Sequence, residues 1–115
     1  MRKKNQKVRC EKRMLTKSKE VVKTFDLIQT KYAEMLENNP EIQEIRCNVL
    51  LDALEEGEYT TDFVCVKTNG DMKVRECIFR KNLTKPMTVK LLDLSKEYWL
   101  KRGIYDWGIC IDGEK

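Results

Sequence analysis

The sequence predicts an α/β domain of the α+β kind, a mixed central sheet flanked by helices. Three observations carry this expectation. "YTTDFVCVK" and "MKVRECIFR" read as strands on either side of "TNGD", a strong hairpin signal. Two other stretches, "DLIQTKYAEMLENNP" and the run from Met87 to Arg102, repeat apolar residues at helical spacing. The second of these leads into a last apolar run, "IYDWGICI", and a strand that follows a helix pairs parallel to its neighbour.

Taken in order, "KEVVKTF", residues 19–25, suits a short strand or a first helical turn. In the first helix Ile28, Tyr32, Met35 and Leu36 form the apolar stripe. Asp26 is a good N-cap and Gln29 stands at N3, the pattern of a capping box; Asn38-Asn39-Pro40 stops the helix. "EIQEIRCNVLL" alternates Ile45, Cys47, Val49 and Leu51 on one strand face, and acidic "DALEEGE" reads as a loop. Thr84 can cap the second helix, with Pro86 in its first turn. Met87, Leu91, Leu94 and Tyr98 give that helix its stripe, with Leu92 and Trp99 beside it. Lys101 and Arg102 suit its C-terminal dipole, and Gly103 fits the C′ position. The order is (β)-α-β-β-β-α-β, the core order of the restriction-endonuclease-like fold.

Composition narrows the chemistry. A chain of 115 residues, 41% apolar and 37% charged, suits one globular domain with a charged surface. No apolar run approaches the roughly 18–20 residues of a membrane span, and the basic N-terminus has no apolar signal core. Five scattered cysteines, Cys10, Cys47, Cys65, Cys77 and Cys110, without a CxxC pair or any His, point to free thiols in a reducing cytoplasm. They also argue against structural zinc. They read as small buried apolar groups, and Cys77 has no His to activate it as a nucleophile. Chemistry would have to come from carboxylates, Lys, Cys or a bound metal. Trp99, Trp107 and Tyr98 read as packing residues.

Charge is unevenly placed. Residues 1–23 carry ten Lys/Arg and two Glu, a net of +8; the whole chain is +4, so the remainder is −4. The expectation is a basic arm, residues 1–16, on a folded domain, residues 17–115. In the arm Arg2, Lys3, Lys4, Lys7, Arg9, Lys12 and Arg13 are candidates for DNA phosphate contact, and Arg80 is one within the domain. The alternative is a solvated tail.

The hairpin register decides whether an acidic site can form. A two-residue Asn69-Gly70 turn makes the indices of paired residues sum to 139, so Asp62 faces Cys77 and Glu76 points to the other face. A three-residue Thr68-Asn69-Gly70 loop makes the sum 138 and sets Asp62 opposite Glu76, close enough to share a divalent ion. The sequence permits both.

"EIRCNVLL", "TTDF" and above all "TVKLLDLSKEYWLKRGIYDWGICIDGEK" carry a resemblance to the TnsA-like transposon-end endonucleases of the PD-(D/E)XK superfamily. The resemblance spans roughly residues 17–115, with a shorter loop after Leu51. It implies a domain of a mobile element or phage that cuts DNA with Mg²⁺ or Mn²⁺ and uses no zinc or nucleotide. Asp62 matches the family's Asp, Glu76 its second acid, and Gln29 falls where a helix Glu belongs. Ile78 stands where the catalytic lysine belongs; Lys81 or Lys90 would have to replace it, and Arg80 could clamp phosphate but is too basic to act as a general base. The first reading is therefore a degenerate nuclease that binds DNA or a protein partner. An active metal-dependent endonuclease with a displaced lysine is the rival. A third reading is a stand-alone binding protein that inhibits a nucleic-acid machine. A DDE transposase and an AAA+ regulator are the partners the resemblance implies, together with DNA and without a membrane.

Overall fold

A computed structural model describes residues 11–51 and 59–112. Its elements run β1 (Glu11–Arg13), β2 (Val22–Thr24), α1 (Leu27–Glu37), β3 (Ile42–Leu50), β4 (Thr60–Lys67), β5 (Met72–Ile78), a 3₁₀ turn (Arg80–Asn82), α2 (Pro86–Lys101) and β6 (Asp106–Ile111). Strands β3 to β6 form a four-stranded mixed sheet in sequence order; the first three are antiparallel, and β6 lies parallel to β5 as the preceding helix requires. The two helices flank this sheet, and the expected order holds. It is compatible with an α/β nuclease-like core.

"KEVVKTF" resolves as strand: β2 pairs antiparallel with β1, Lys12 facing Lys23. Residues 11–16, placed in the basic arm by their charge, therefore belong to the folded unit. Leu15 is in the core, and the Thr16 backbone N–H donates to Glu37 at 3.0 Å. The "DALEEGE" loop, residues 52–58, lies outside the described residues, as do arm residues Arg2 to Arg9.

The core divides at the sheet. On the α1 side lie Leu15, Ile28, Ala33, Leu36, Ile45, Phe63, Cys65 and Cys77. On the α2 side lie Leu51, Tyr59, Val64, Val74, Leu91, Trp99 and Ile104. Met35 and Met87, expected in the helix stripes, are more than half exposed. Their places are taken by Ala33 and Gln29 on α1, and by Leu92 and Ser95 on α2, so the buried faces are turned from those the apolar residues alone suggest.

Strand β3 also departs from expectation. Ile45 and Cys47 pack on the α1 side, but Val49 and Leu51 pack on the α2 side. Asn48 between them has φ +54, and this left-handed residue breaks the alternation. Asn tolerates that conformation better than most residues, and its side-chain amide donates to the Lys23 carbonyl at 2.9 Å.

Asp26 caps α1 as expected, its Oδ1 accepting from the Gln29 N–H at 2.9 Å. Lys85 takes the N-cap position of α2 in place of Thr84, with no side-chain cap, and Pro86 opens the helix. At its C-terminus the Ile104 N–H donates to the Trp99 carbonyl and the Gly103 N–H to that of Leu100, both at 3.0 Å. With Gly103 at φ +83 and Ile104 packed in the cluster that holds Trp99, this is a Schellman motif.

Candidate functional site

The hairpin takes the three-residue loop. The Gly70 N–H donates to the Lys67 carbonyl at 2.9 Å, the Lys67 N–H to the Asp71 carbonyl at 2.7 Å, and Gly70 has φ +93. Phe63 then pairs with Arg75 and Val64 with Val74, the 138 register, and one further step along it brings Asp62 opposite Glu76. Here the structure settles an alternative the sequence left open.

Asp62, Glu76 and Gln29 come together, all but inaccessible, at 1%, 0% and 2% exposure. The two carboxylates nevertheless reach in different directions. Asp62 Oδ1 accepts from Gln29 Nε2 of α1 at 3.1 Å, and its Oδ2 accepts from the Cys77 N–H at 2.7 Å. Glu76 Oε1 accepts from the Asp62 N–H at 3.0 Å, and its Oε2 accepts from Ser95 Oγ of α2 at 2.7 Å. Each acid thus receives a backbone N–H from the other's strand, and each is tied to a different helix. Gln29 has two roles. Its Oε1 accepts from the Phe25 N–H at 2.7 Å, one residue before the capping-box position, and its Nε2 reaches Asp62. Because Gln29 sits in the first turn of α1, the positive end of that helix dipole lies beside Asp62.

A second ring of polar groups completes the network. Trp107 Nε1 donates to Ser95 Oγ at 3.0 Å, so Ser95 passes a hydrogen-bond chain from Trp107 to Glu76. Trp99 Nε1 donates to Thr61 Oγ1 at 2.9 Å. Ser95 and Thr61, both fully buried, were missed as site residues in the sequence. Ser95 had a readable signal, since it lies four residues from Leu91 and four from Trp99 on the buried stripe, where a small polar residue needs a partner. Trp99 and Trp107 do pack as expected.

The divalent ion implied by the resemblance needs oxygens free to turn toward it. Asp62, Glu76 and Gln29 point all five side-chain oxygens at protein donors, whose positive ends would face a cation. Among the described residues no group of three or more His, Cys, Asp or Glu is placed to hold a metal ion. As arranged, these residues do not fit the ion.

The basic candidates make their contacts away from the acids. Ile78, where the resemblance would place a lysine, is 6% exposed. Arg80 lies beyond the end of β5, in the 3₁₀ turn, and its guanidinium donates to the Asp112 carbonyl at 3.3 Å. Lys81 is exposed with its Nζ 5.9 Å from the centre of the Phe79 ring, and Lys90 is exposed on α2. Lys12 is exposed on β1, while Arg13 pairs with Glu34 at 2.9 Å. No helix among the described residues is long and apolar enough to cross a membrane.

A separate polar cluster stands at the other end of β5. Asp106 receives Arg75 at 2.8 Å and Lys67 at 3.1 Å. The Arg75 hydrogen bond, seconded by Lys67, holds the Asp106 carboxyl below its ordinary range. Gly108 makes room for Arg75, since a Cβ there would meet Arg75 Nε at 3.2 Å. Burial pushes the Cys65 thiol up to about 11 and raises that of Cys47. Compared with known proteins, the chain matches no family model and no curated protein.

Proposed function

We propose that this chain is a TnsA-like nuclease-fold protein of a mobile element or phage that does not cut DNA and acts by binding it. The observation that carries this reading is the closed acid network. Asp62 and Glu76 are inaccessible, every one of their oxygens faces a protein donor, and Ile78 fills the lysine's place. A phosphodiester could not reach these groups without first breaking hydrogen bonds that tie both helices to the sheet.

DNA binding rests on charge. Between Glu76 and Asp93 the chain carries Arg80, Lys81, Lys85 and Lys90 and no acid, and all four are exposed. Together with the N-terminal cations they suit a phosphate backbone, whose neutralisation releases counterions. A transposase or an AAA+ regulator belongs to the same proposal as a protein partner.

Incubation of supercoiled plasmid with the protein and Mg²⁺ or Mn²⁺ tests the reading. The expected outcome is no nicking by wild type or by Asp62→Ala, with DNA binding that weakens as salt rises. Nicking that Asp62→Ala abolishes would establish the active endonuclease instead. Binding to one protein with no affinity for DNA would favour the inhibitor reading.

A further inference from the structure

The four described cysteines stand one on each strand of the main sheet: Cys47 on β3, Cys65 on β4, Cys77 on β5 and Cys110 on β6. Their registers differ. Cys47 faces Phe63, and Cys65 faces Ile45 on one side and Lys73 on the other. Cys77, alone among them, faces a second cysteine, Cys110, across the parallel β5–β6 ladder. Residues aligned in a ladder project to the same face, and both of these join the α1-side cluster. We infer that Cys77 and Cys110 form a thiol–disulfide site, able to exchange two electrons with a peroxide or a low-molecular-weight disulfide.

Geometry permits the bond. Neighbouring strands lie about 4.8 Å apart, within the roughly 4.4–6.8 Å that disulfides span between Cα atoms. Aligned Cβ atoms on parallel strands stand somewhat farther apart than the ~3.8 Å that a disulfide prefers, so closure draws β6 toward β5. A bond closed under such tension is readily reduced, which suits a reversible site better than a permanent staple. Exposure divides the roles. Cys110 is half-buried on an edge strand, whereas Cys77 is 3% exposed. Cys110 is therefore the thiol an oxidant meets, and Cys77 the one that resolves it.

The step balances with a peroxide. The Cys110 thiolate attacks one peroxide oxygen, the O–O bond breaks, and an alcohol or water leaves as Cys110 becomes a sulfenic acid. The Cys77 sulfur then attacks the Cys110 sulfur, forming the S–S bond and releasing water. Two thiols are oxidised and one peroxide is reduced. With a glutathione-type disulfide, two successive exchanges release two thiols instead. The Cys77 N–H donates to Asp62 Oδ2, so the bond would form one residue from the acid network. This inference is independent of whether the protein binds DNA.

The test uses the native protein, treated with hydrogen peroxide or with oxidised glutathione, then unfolded, alkylated, digested with trypsin and examined by non-reducing mass spectrometry. The expected product joins the peptide Glu76–Arg80 to the peptide Gly103–Lys115, lighter than the two free peptides by two hydrogens. Cys47 and Cys65 should remain alkylatable. In Cys110→Ser, Cys77 should stay reduced under the same treatment, whereas Cys65→Ser should leave the cross-link unchanged. Both variants are to be checked for a cooperative unfolding transition. Full alkylation of Cys77 and Cys110 after treatment, or a cross-link that uses Cys47 or Cys65 instead, would overturn the proposal.

Discussion

Ser95 ties the Glu76 half of the acid network to α2 and to Trp107. Its hydroxyl donates to Glu76 Oε2 and accepts from Trp107 Nε1, and it is fully buried. Alanine at this position would remove one donor from the buried Glu76 carboxylate and the acceptor of the half-buried Trp107 indole N–H. Leaving a buried polar group short of a partner costs roughly 1–3 kcal/mol, so Ser95→Ala should lose about 1–3 kcal/mol. The urea midpoint measures this, and a loss below about 1 kcal/mol would show that water replaces the hydroxyl freely. Asp62 and Glu76 were legible in the sequence through the hairpin register that can set them opposite each other, and Gln29 through the resemblance and its capping-box position. Ser95 was not singled out: its place between Leu91 and Trp99 on the buried stripe marks a polar residue in need of a partner, but nothing in the sequence names that partner. What the residues alone could not give was direction: Asp62 turns to α1 and Glu76 to α2, although their strands set them opposite each other.

At the scale of elements, the hairpin and both helices follow from local chemistry. Asn69-Gly70 marks the turn, Asp26 and Pro86 mark the helix starts, and Gly103 ends the second helix. The register did not follow from it, because both loop lengths suit the same residues and only pairing across the sheet selects one. Asn48 gave no warning either: its left-handed backbone is set by the need to send Val49 and Leu51 to the α2 side. The β4–β5–β6 ladder is tied at its other end by Lys67 and Arg75 converging on Asp106. Because the folded Asp106 carboxyl is depressed below its ordinary value, its contribution is complete above the unfolded pKa, near 3.8, and is lost as pH falls through the lowered value. Asp106→Asn should therefore destabilise the protein at pH 7 and leave it unchanged near pH 2. The carboxyl is 40% exposed, so the neutral-pH loss should be roughly 1 kcal/mol or less. Urea titrations of both proteins across that pH range check the sign. An equal difference at both pH values would show that the charge plays no part.

At the scale of the whole molecule, the charge asymmetry was plain in the sequence, but the place where the fold begins was not. The run Glu11 to Thr16 reads as more of the basic tail because its cations outnumber its one acid. In the structure Arg13 meets Glu34, the Thr16 N–H meets Glu37 and Leu15 enters the core, so basic residues that look free for DNA are partly spent on the protein itself. Two deletions separate these roles. Removing residues 1–16 takes away β1, the Leu15 side chain and both links to α1, and should lower stability by about 2–5 kcal/mol, the range for losing a buried leucine. Removing residues 1–10 keeps every one of those contacts and strips Arg2, Lys3, Lys4, Lys7 and Arg9. If these five cations neutralise phosphates, the slope of log affinity against log salt should flatten by as much as roughly 4 to 5, with the urea midpoint little changed. The two readouts come from separate experiments, denaturation and DNA titration, on the same pair of proteins. An unchanged salt slope in the shorter deletion would make the first ten residues a solvated tail, and the phosphate contacts would then fall to cations of the described residues, Lys12, Arg80, Lys81, Lys85 and Lys90 among them.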